Sequence, residues 1–145
     1  MSWNNLVRRL LPRSRLILGC LRGIPFTHKI DDAQLRPLSA VSERYHIPPG
    51  SVLFHMGRPA TRVYIVEAGR IRMYRNQDDP GTHFGPGSIL CADTILADAP
   101  QSHFAETVEM STLIVIERPA FERLIADYPM VEAQMIPSRT CQGRH

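Results

Sequence analysis

Lysine is almost absent. Lys29 stands alone against sixteen arginines, and no Arg or Lys occurs between Arg75 and Arg118. Acidic residues are missing from the first 30 positions, which hold Arg8, Arg9, Arg13, Arg15, Arg22 and Lys29, so the net charge of +3 is a local excess. The preference for arginine fits a GC-rich coding sequence more than a function. Long apolar runs are also missing, and none approaches the roughly 20 residues of a membrane span. Leu16-Ile17-Leu18-Gly19-Cys20 has the look of a lipoprotein box, and Arg8-Arg9 that of a twin-arginine signal. The apolar stretch is only about five residues, short of the 7–15 that a signal segment needs. These features predict a cytoplasmic location. Three cysteines, Cys20, Cys91 and Cys141, are an odd number without metal-site spacing, which suits a reducing compartment better than a disulfide framework. There is no P-loop, no dinucleotide fingerprint, no Glu-x-x-His and no nucleophile elbow.

What the chain does have is short β-type segments punctuated by glycine. Ser51–His55, Arg62–Glu67 and Arg70–Arg75 are rich in β-branched and aromatic residues, and Gly50, Gly57 and Gly69 mark the turns between them. Asn76–Gly81 is a polar turn cluster, in which Asp78-Asp79 reads as a solvated turn, not a metal pair. Thr82–Phe84, Phe104–Glu109 and Leu113–Glu117 are further strands, with Met110-Ser111-Thr112 between the last two. Ser88–Leu96 is apolar, and Ala97–Gln101 is a loop. Short strands at this spacing build an antiparallel sandwich or barrel. Helices flank them. Trp3–Leu11 has helical apolar spacing and stops before Pro12. Its arginines would suit an anionic surface, but packing against one end of the strands is the reading adopted. A second helix begins in Leu16–Leu21, and Asp31-Asp32 opens a third. Pro119 starts a last helix with Phe121, Leu124, Ile125 and Tyr128 on one face. Pro129 interrupts it, Val131–Ile136 resumes it, and Ser138–His145 is a polar tail, read as disordered.

The stretch Pro48-Pro49-Gly50, Met56-Gly57, Ala68-Gly69, followed by Phe84-Gly85-Pro86-Gly87, resembles the cyclic-nucleotide-binding β-roll. This is the sensor domain of catabolite-activator and nitrogen-fixation regulators, kinase regulatory subunits and gated channels. The resemblance runs from about Leu21 to Met135 and implies a mainly β fold, an antiparallel double-stranded β-helix or jelly roll with flanking N- and C-terminal helices. It divides the chain into a basic N-terminal helical segment (1–20), the roll with its helices (21–136) and the tail (137–145).

The resemblance also implies a site. In the family a short helix after the Pro-Gly turn presents N–H groups to a phosphate, a Gly-Glu pair meets phosphate and ribose, and an Arg in the next loop neutralises the charge. Counting from Gly87, the cassette positions here are Leu90, Cys91 in place of the Gly, Ala92 in place of the Glu, and Asp93. In the loop, Gln101 stands in place of the Arg, followed by Ser102 and His103, although a one-residue shift would put Ser102 at the Arg position. Losing the partner of a buried charge costs several kcal/mol. Ser102 and a protonated His103 would recover part of this.

The function implied is a non-enzymatic regulatory or sensor module that does not hold cyclic AMP or cyclic GMP tightly. No other cofactor is expected. The expected partners are a small-molecule ligand and a protein, or a second copy, bound through the C-terminal helix. Neither direct DNA contact nor a membrane span is expected. Two alternatives stay open: a true cyclic-nucleotide receptor, or a catabolite-activator-type regulator truncated or split before its helix-turn-helix. A cupin-like metal enzyme would need a His-x-His and Glu set that is not present. His46, His55, His83 and His103 with Cys91 match no metal or haem spacing. Cys91, in an apolar run, reads as a small buried side chain, not a redox thiolate. Ser102, His103 and Asp93 do not form a recognisable hydrolytic triad.

Overall fold

The computed structural model describes Arg8–Arg9 and residues 32–135. Among these the elements run β1 (Arg8–Arg9), α1 (Asp32–Ala40), β2 (Ser42–Ile47), β3 (Val52–Phe54), β4 (Arg62–Ala68), β5 (Ile71–Tyr74), β6 (Thr82–Phe84) and β7 (Ile89–Leu90). They continue with α2 (Ala92–Leu96), β8 (Phe104–Thr107), β9 (Ser111–Glu117), α3 (Arg118–Asp127) and α4 (Pro129–Met135). The strands form two antiparallel sheets, β1-β2-β9-β4-β7 and β3-β8-β5-β6. This is a jelly roll.

The apolar pattern of β4 and β9 explains the layering. Side chains alternate across a strand. Val63, Ile65, Ile114 and Ile116 point one way and join Leu38, Phe121, Leu124 and Val131 of the helices in one core cluster. Tyr64, Val66, Leu113 and Val115 point the other way and pack with Leu53, Phe54, Ile71 and Ala105 of the second sheet. Both faces of the larger sheet are therefore covered, and its central strands read as continuous apolar runs, not as an alternation. Tyr64 also ties the sheets together, its hydroxyl donating to the Leu53 carbonyl at 3.2 Å.

Gly50, Gly57 and Gly69 occupy turns with φ of 79°, 86° and 97°. Only Gly69 is also sterically obligatory. A Cβ there would lie 2.2 Å from Ser111 Oγ and 2.6 Å from Ser111 Cα.

Three expectations need correction. Arg8–Arg9 are not helical: they pair with His46 and Tyr45 at the edge of β2, whose free backbone groups accept a strand more readily than a helix. The remainder of Trp3–Leu11, the Leu16–Leu21 helix and the tail lie outside the described residues. The strand β2 has no counterpart in the sequence reading. Ser111 and Thr112 belong to β9, not to a connection, and both are buried.

Candidate functional site

A cavity of about 280 Å³ opens between the smaller sheet and the segment from β7 to β8. Three stretches of chain converge on it. The end of β5 brings Met73 and Arg75, β6 brings Thr82 and Phe84, and β7, α2 and the following loop supply the rest. Met73, Phe84 and Leu90 form its apolar wall.

The entry to α2 is strained. Cys91 has φ 78° and ψ −6°, the left-handed conformation, and precedes the first helical residue. A non-glycine residue there is uncommon, and glycine would adopt it without a Cβ penalty. The backbone thus makes a glycine-type turn at the position the sequence assigned to the family's glycine. Burial desolvates the Cys91 thiol and pushes it up to about 12, the Gln101 hydrogen bond opposing the shift and the Asp93 charge adding to it. The thiol is a protonated, inert group at neutral pH. Gln101, 5% exposed, donates from Nε2 to Cys91 Sγ at 3.3 Å. The side chain that the sequence reading set at the arginine position is therefore engaged with the Cys91 thiol.

Six of the eight residues singled out from the sequence line the cavity: Leu90, Cys91, Asp93, Gln101, Ser102 and His103. Gly87 lies in the turn before β7, its N–H donating to the Val66 carbonyl at 2.8 Å. Ala92 is 2% exposed and packs with the helix-side core, away from the lining. The acidic residue that lines the cavity is Asp93, whose Oδ1 accepts from the Thr94 N–H at 3.0 Å.

Arg75 is the residue that sequence reasoning missed. The pairing of Tyr74 with Phe104 in the β5–β8 ladder carries the next residue, Arg75, to His103. Arg75 Nε donates to His103 Nε2 at 3.3 Å, and His103 Nδ1 lies 2.7 Å from Ser102 Oγ. A guanidinium can only donate, so Nε2 carries a lone pair and Nδ1 the proton. An acceptor at Nε2 does not fit the protonated His103 that the sequence reading offered as a partial substitute for the arginine. Its Nδ1–H is directed at the serine oxygen. That direction is wrong for a general base, so the Ser102–His103 contact, which the sequence reading did not anticipate, is not a catalytic dyad.

The other histidines are dispersed. His46 bonds Thr112 Oγ1 at 2.9 Å, and His55 sets its ring edge against Phe104. Among the described residues no three His, Cys, Asp or Glu side chains converge as a metal site would require. The loop after α2 is tied to the C-terminal helices. Arg118, at the start of α3, reaches Asp98 Oδ1 at 2.7 Å, the Ala60 carbonyl at 3.1 Å and Glu122 at 3.1 Å. Asp98 itself has φ 51°.

The roll, the cassette helix and the cavity beside it are the arrangement that the resemblance implied. Residues 44–128 match the family model of the cyclic nucleotide-binding domain. The chain belongs to this family. An uncharacterized NTE family protein of Mycobacterium tuberculosis is 28% identical over 116 residues, 80% of this chain and 20% of that protein. The cyclic AMP receptor protein of Thermus thermophilus is 24% identical over 115 residues, covering 77% of this chain and 53% of that one. The chain thus spans between one fifth and about half the length of these relatives. Among solved structures, a cyclic nucleotide-binding domain from Methylobacillus flagellatus superposes with a TM-score of 0.78 at 17% identity, covering 99% of this chain and 87% of that one. The regulatory domain of Toxoplasma gondii PKA, crystallised with cAMP, gives 0.73 at 15% identity over 90% of this chain and 50% of that one. At these identities the likeness shows the fold. Among the described residues no helix is long and apolar enough to cross a membrane.

Proposed function

We propose that this cyclic nucleotide-binding domain is a non-enzymatic regulatory module whose cassette does not hold cyclic AMP or cyclic GMP tightly, and that residues 21–136 are its working unit. The observation that carries this is Gln101. It stands where the family's arginine stands, brings no charge, and is bonded to the Cys91 thiol. Two further features support the reading. Ala92 offers no acceptor for a ribose hydroxyl. Asp93 brings a carboxylate to the cavity beside the first turn of α2, where a phosphate would meet a like charge. Ligand selectivity would then rest on Cys91, Asp93, Gln101, Ser102 and His103, with Leu90 as wall and Gly87 as the turn that sets the cassette.

The protein works in the cytoplasm in this reading, and its output passes to a protein partner or a second copy through α3 and α4. Phe121, Leu124 and Val131 are already buried in the roll, so that stripe leaves little apolar surface, and a weak contact is the expectation.

Calorimetry with cyclic AMP and cyclic GMP tests the reading. Neither should bind more tightly than roughly 100 μM, the range left once a charge-assisted anchor is gone. Gln101→Arg combined with Asp93→Asn, which adds the cation and removes the opposing charge, should raise affinity at least about tenfold. Low-micromolar binding by the wild-type protein overturns the proposal.

A further inference from the structure

Three turns meet at one end of the roll, over residues 48–50, 68–70 and 108–110. Backbone hydrogen bonds join them: the Gly50 N–H donates to the Thr107 carbonyl at 2.8 Å, and the Val108 N–H to the Arg70 carbonyl at 3.0 Å. Pro49, Ala68, Val108 and Met110 on these turns are all exposed. Val108 and Met110, at 39% and 59%, are two of the three large apolar side chains so open among the described residues. The charged residues beside them, Arg70 and Glu109, pair only at 3.8 Å and are themselves exposed. Single exposed apolar side chains are ordinary, but a group of them on adjoining turns is the kind of surface that a protein covers.

The strand β1 runs toward this end. Its antiparallel register sets Arg8 against His46 and Arg9 against Tyr45, so counting back along the chain brings Val7 level with Ile47 and Leu6 level with Pro48. On the other side of β2, Ile47 pairs with Ser111, and the residue level with Pro48 there is Met110. Pro48 and Pro49 have no N–H to donate, so strand pairing stops at this point and the chain before Val7 leaves the sheet edge beside the exposed turns. Two strand spacings, about 10 Å, separate β1 from β9, and the five extended residues from Arg8 to Trp3 reach about 16 Å. Residues 1–7, all outside the described residues, include Trp3, Leu6 and Val7 and no charged side chain. The sequence predicts packing of this segment against one end of the strands, and the register of β1 says which end. We propose that residues 1–7 cover the apolar end of the roll, with Trp3 and Leu6 seated on Val108 and Met110.

Trp3 is the only tryptophan of the chain, so the full-length protein reports on its own contact. Tryptophan emission and its quenching by acrylamide are compared in the wild-type protein and in Val108→Asp, Met110→Glu and Met56→Glu. All three side chains are exposed, so the variants should fold, and melting curves check this. In the wild-type protein the emission should be blue-shifted from that of N-acetyltryptophanamide and quenched several-fold less. Val108→Asp and Met110→Glu should each move both readings toward those of the amide, because a carboxylate put under the indole brings water with it. Met56→Glu lies in the β3–β4 connection, whose Gly57 N–H donates to the Gln101 carbonyl, and should leave both readings unchanged. Dilution should change neither, since the contact is within one chain. The proposal is overturned if Trp3 of the wild-type protein reads as the amide does. It is equally overturned if Trp3 is shielded but indifferent to both Val108→Asp and Met110→Glu, which places the indole elsewhere. Shielding that is lost on dilution also overturns it and makes this end of the roll a contact between copies.

Discussion

The two sheets of this roll differ in how completely they are buried. In the larger sheet, six successive residues of β9 are buried, and β4 holds four in a row, because helices cover one face and the second sheet the other. In the smaller sheet β5 and β6 are mostly half-buried, and the cavity with its charged groups lies against them. Both backbone strains described outside glycine, at Cys91 and Asp98, fall in the β7–β8 segment beside that cavity. Packing is concentrated in one sheet and chemistry in the other. The half-buried strands and the cavity lining thus lie together, apart from the most completely buried strands.

Substitutions can break that comparison. Ile114, fully buried between β9 and the helices, should cost about 4 kcal/mol on change to alanine. Phe84→Ala in the cavity wall should cost about 1 kcal/mol. Chemical denaturation of the two variants measures the gap, and equal losses would mean that the sheets are not differently packed.

Gly69→Val should come next, at about 3 kcal/mol, because both φ and the Ser111 backbone oppose a side chain. Gly57→Ala, with open space around the site, should lose only about 1 kcal/mol. An unchanged melting curve for Gly69→Val would contradict the β4–β5 turn.

The strain at Cys91 gives a smaller, signed difference. Cys91→Gly should be more stable than Cys91→Ala by about 1 kcal/mol, since only glycine relieves φ 78°. Alanine matching glycine would show that the cassette entry can rearrange.

Alkaline pH sharpens the same point most gently. The Cys91 thiol is raised in the folded state from an ordinary 9.0 to about 12. Its contribution is fully present below the unfolded value and is lost as pH rises from there through the folded value. Melting temperatures followed upward from pH 9 should therefore fall less steeply in Cys91→Ala than in the wild-type protein. Tyr64, also raised by burial, adds a decline common to both. Parallel curves would mean that the thiol is not desolvated.

Much of the strand framework was legible because its signals are local. Gly50, Gly57 and Gly69 mark turns in the sequence and have positive φ in the structure, and Thr82–Phe84 has the boundaries expected of it. The strand β2 was not legible. Its Glu43-Arg44 pair hides the pattern, and Arg44 makes a bidentate contact to Glu67 on β4, at 2.8 Å for each bond, that the sequence does not announce. Ser111 and Thr112 look like turn residues until their burial in β9 is known. At the site, the cassette positions could be counted from Gly87, and six of the eight residues so named line the cavity. Arg75 could not, because it comes to His103 only through the β5–β8 register, 28 positions away along the chain. Ala92 and Asp93 are neighbours in sequence, and only the turn of α2 decides which of them sees the cavity.

The guanidinium of Arg118 joins three places at once: the loop after the cassette helix, the β3–β4 connection and the first turn of α3. Its carboxylate partner in the loop, Asp98, has a side chain 85% exposed, and ion pairs so open to water hold their partners only lightly. Of the three attachments, the one to the loop is the most open to water, so the anchoring of α3 on the β3–β4 connection does not depend on it.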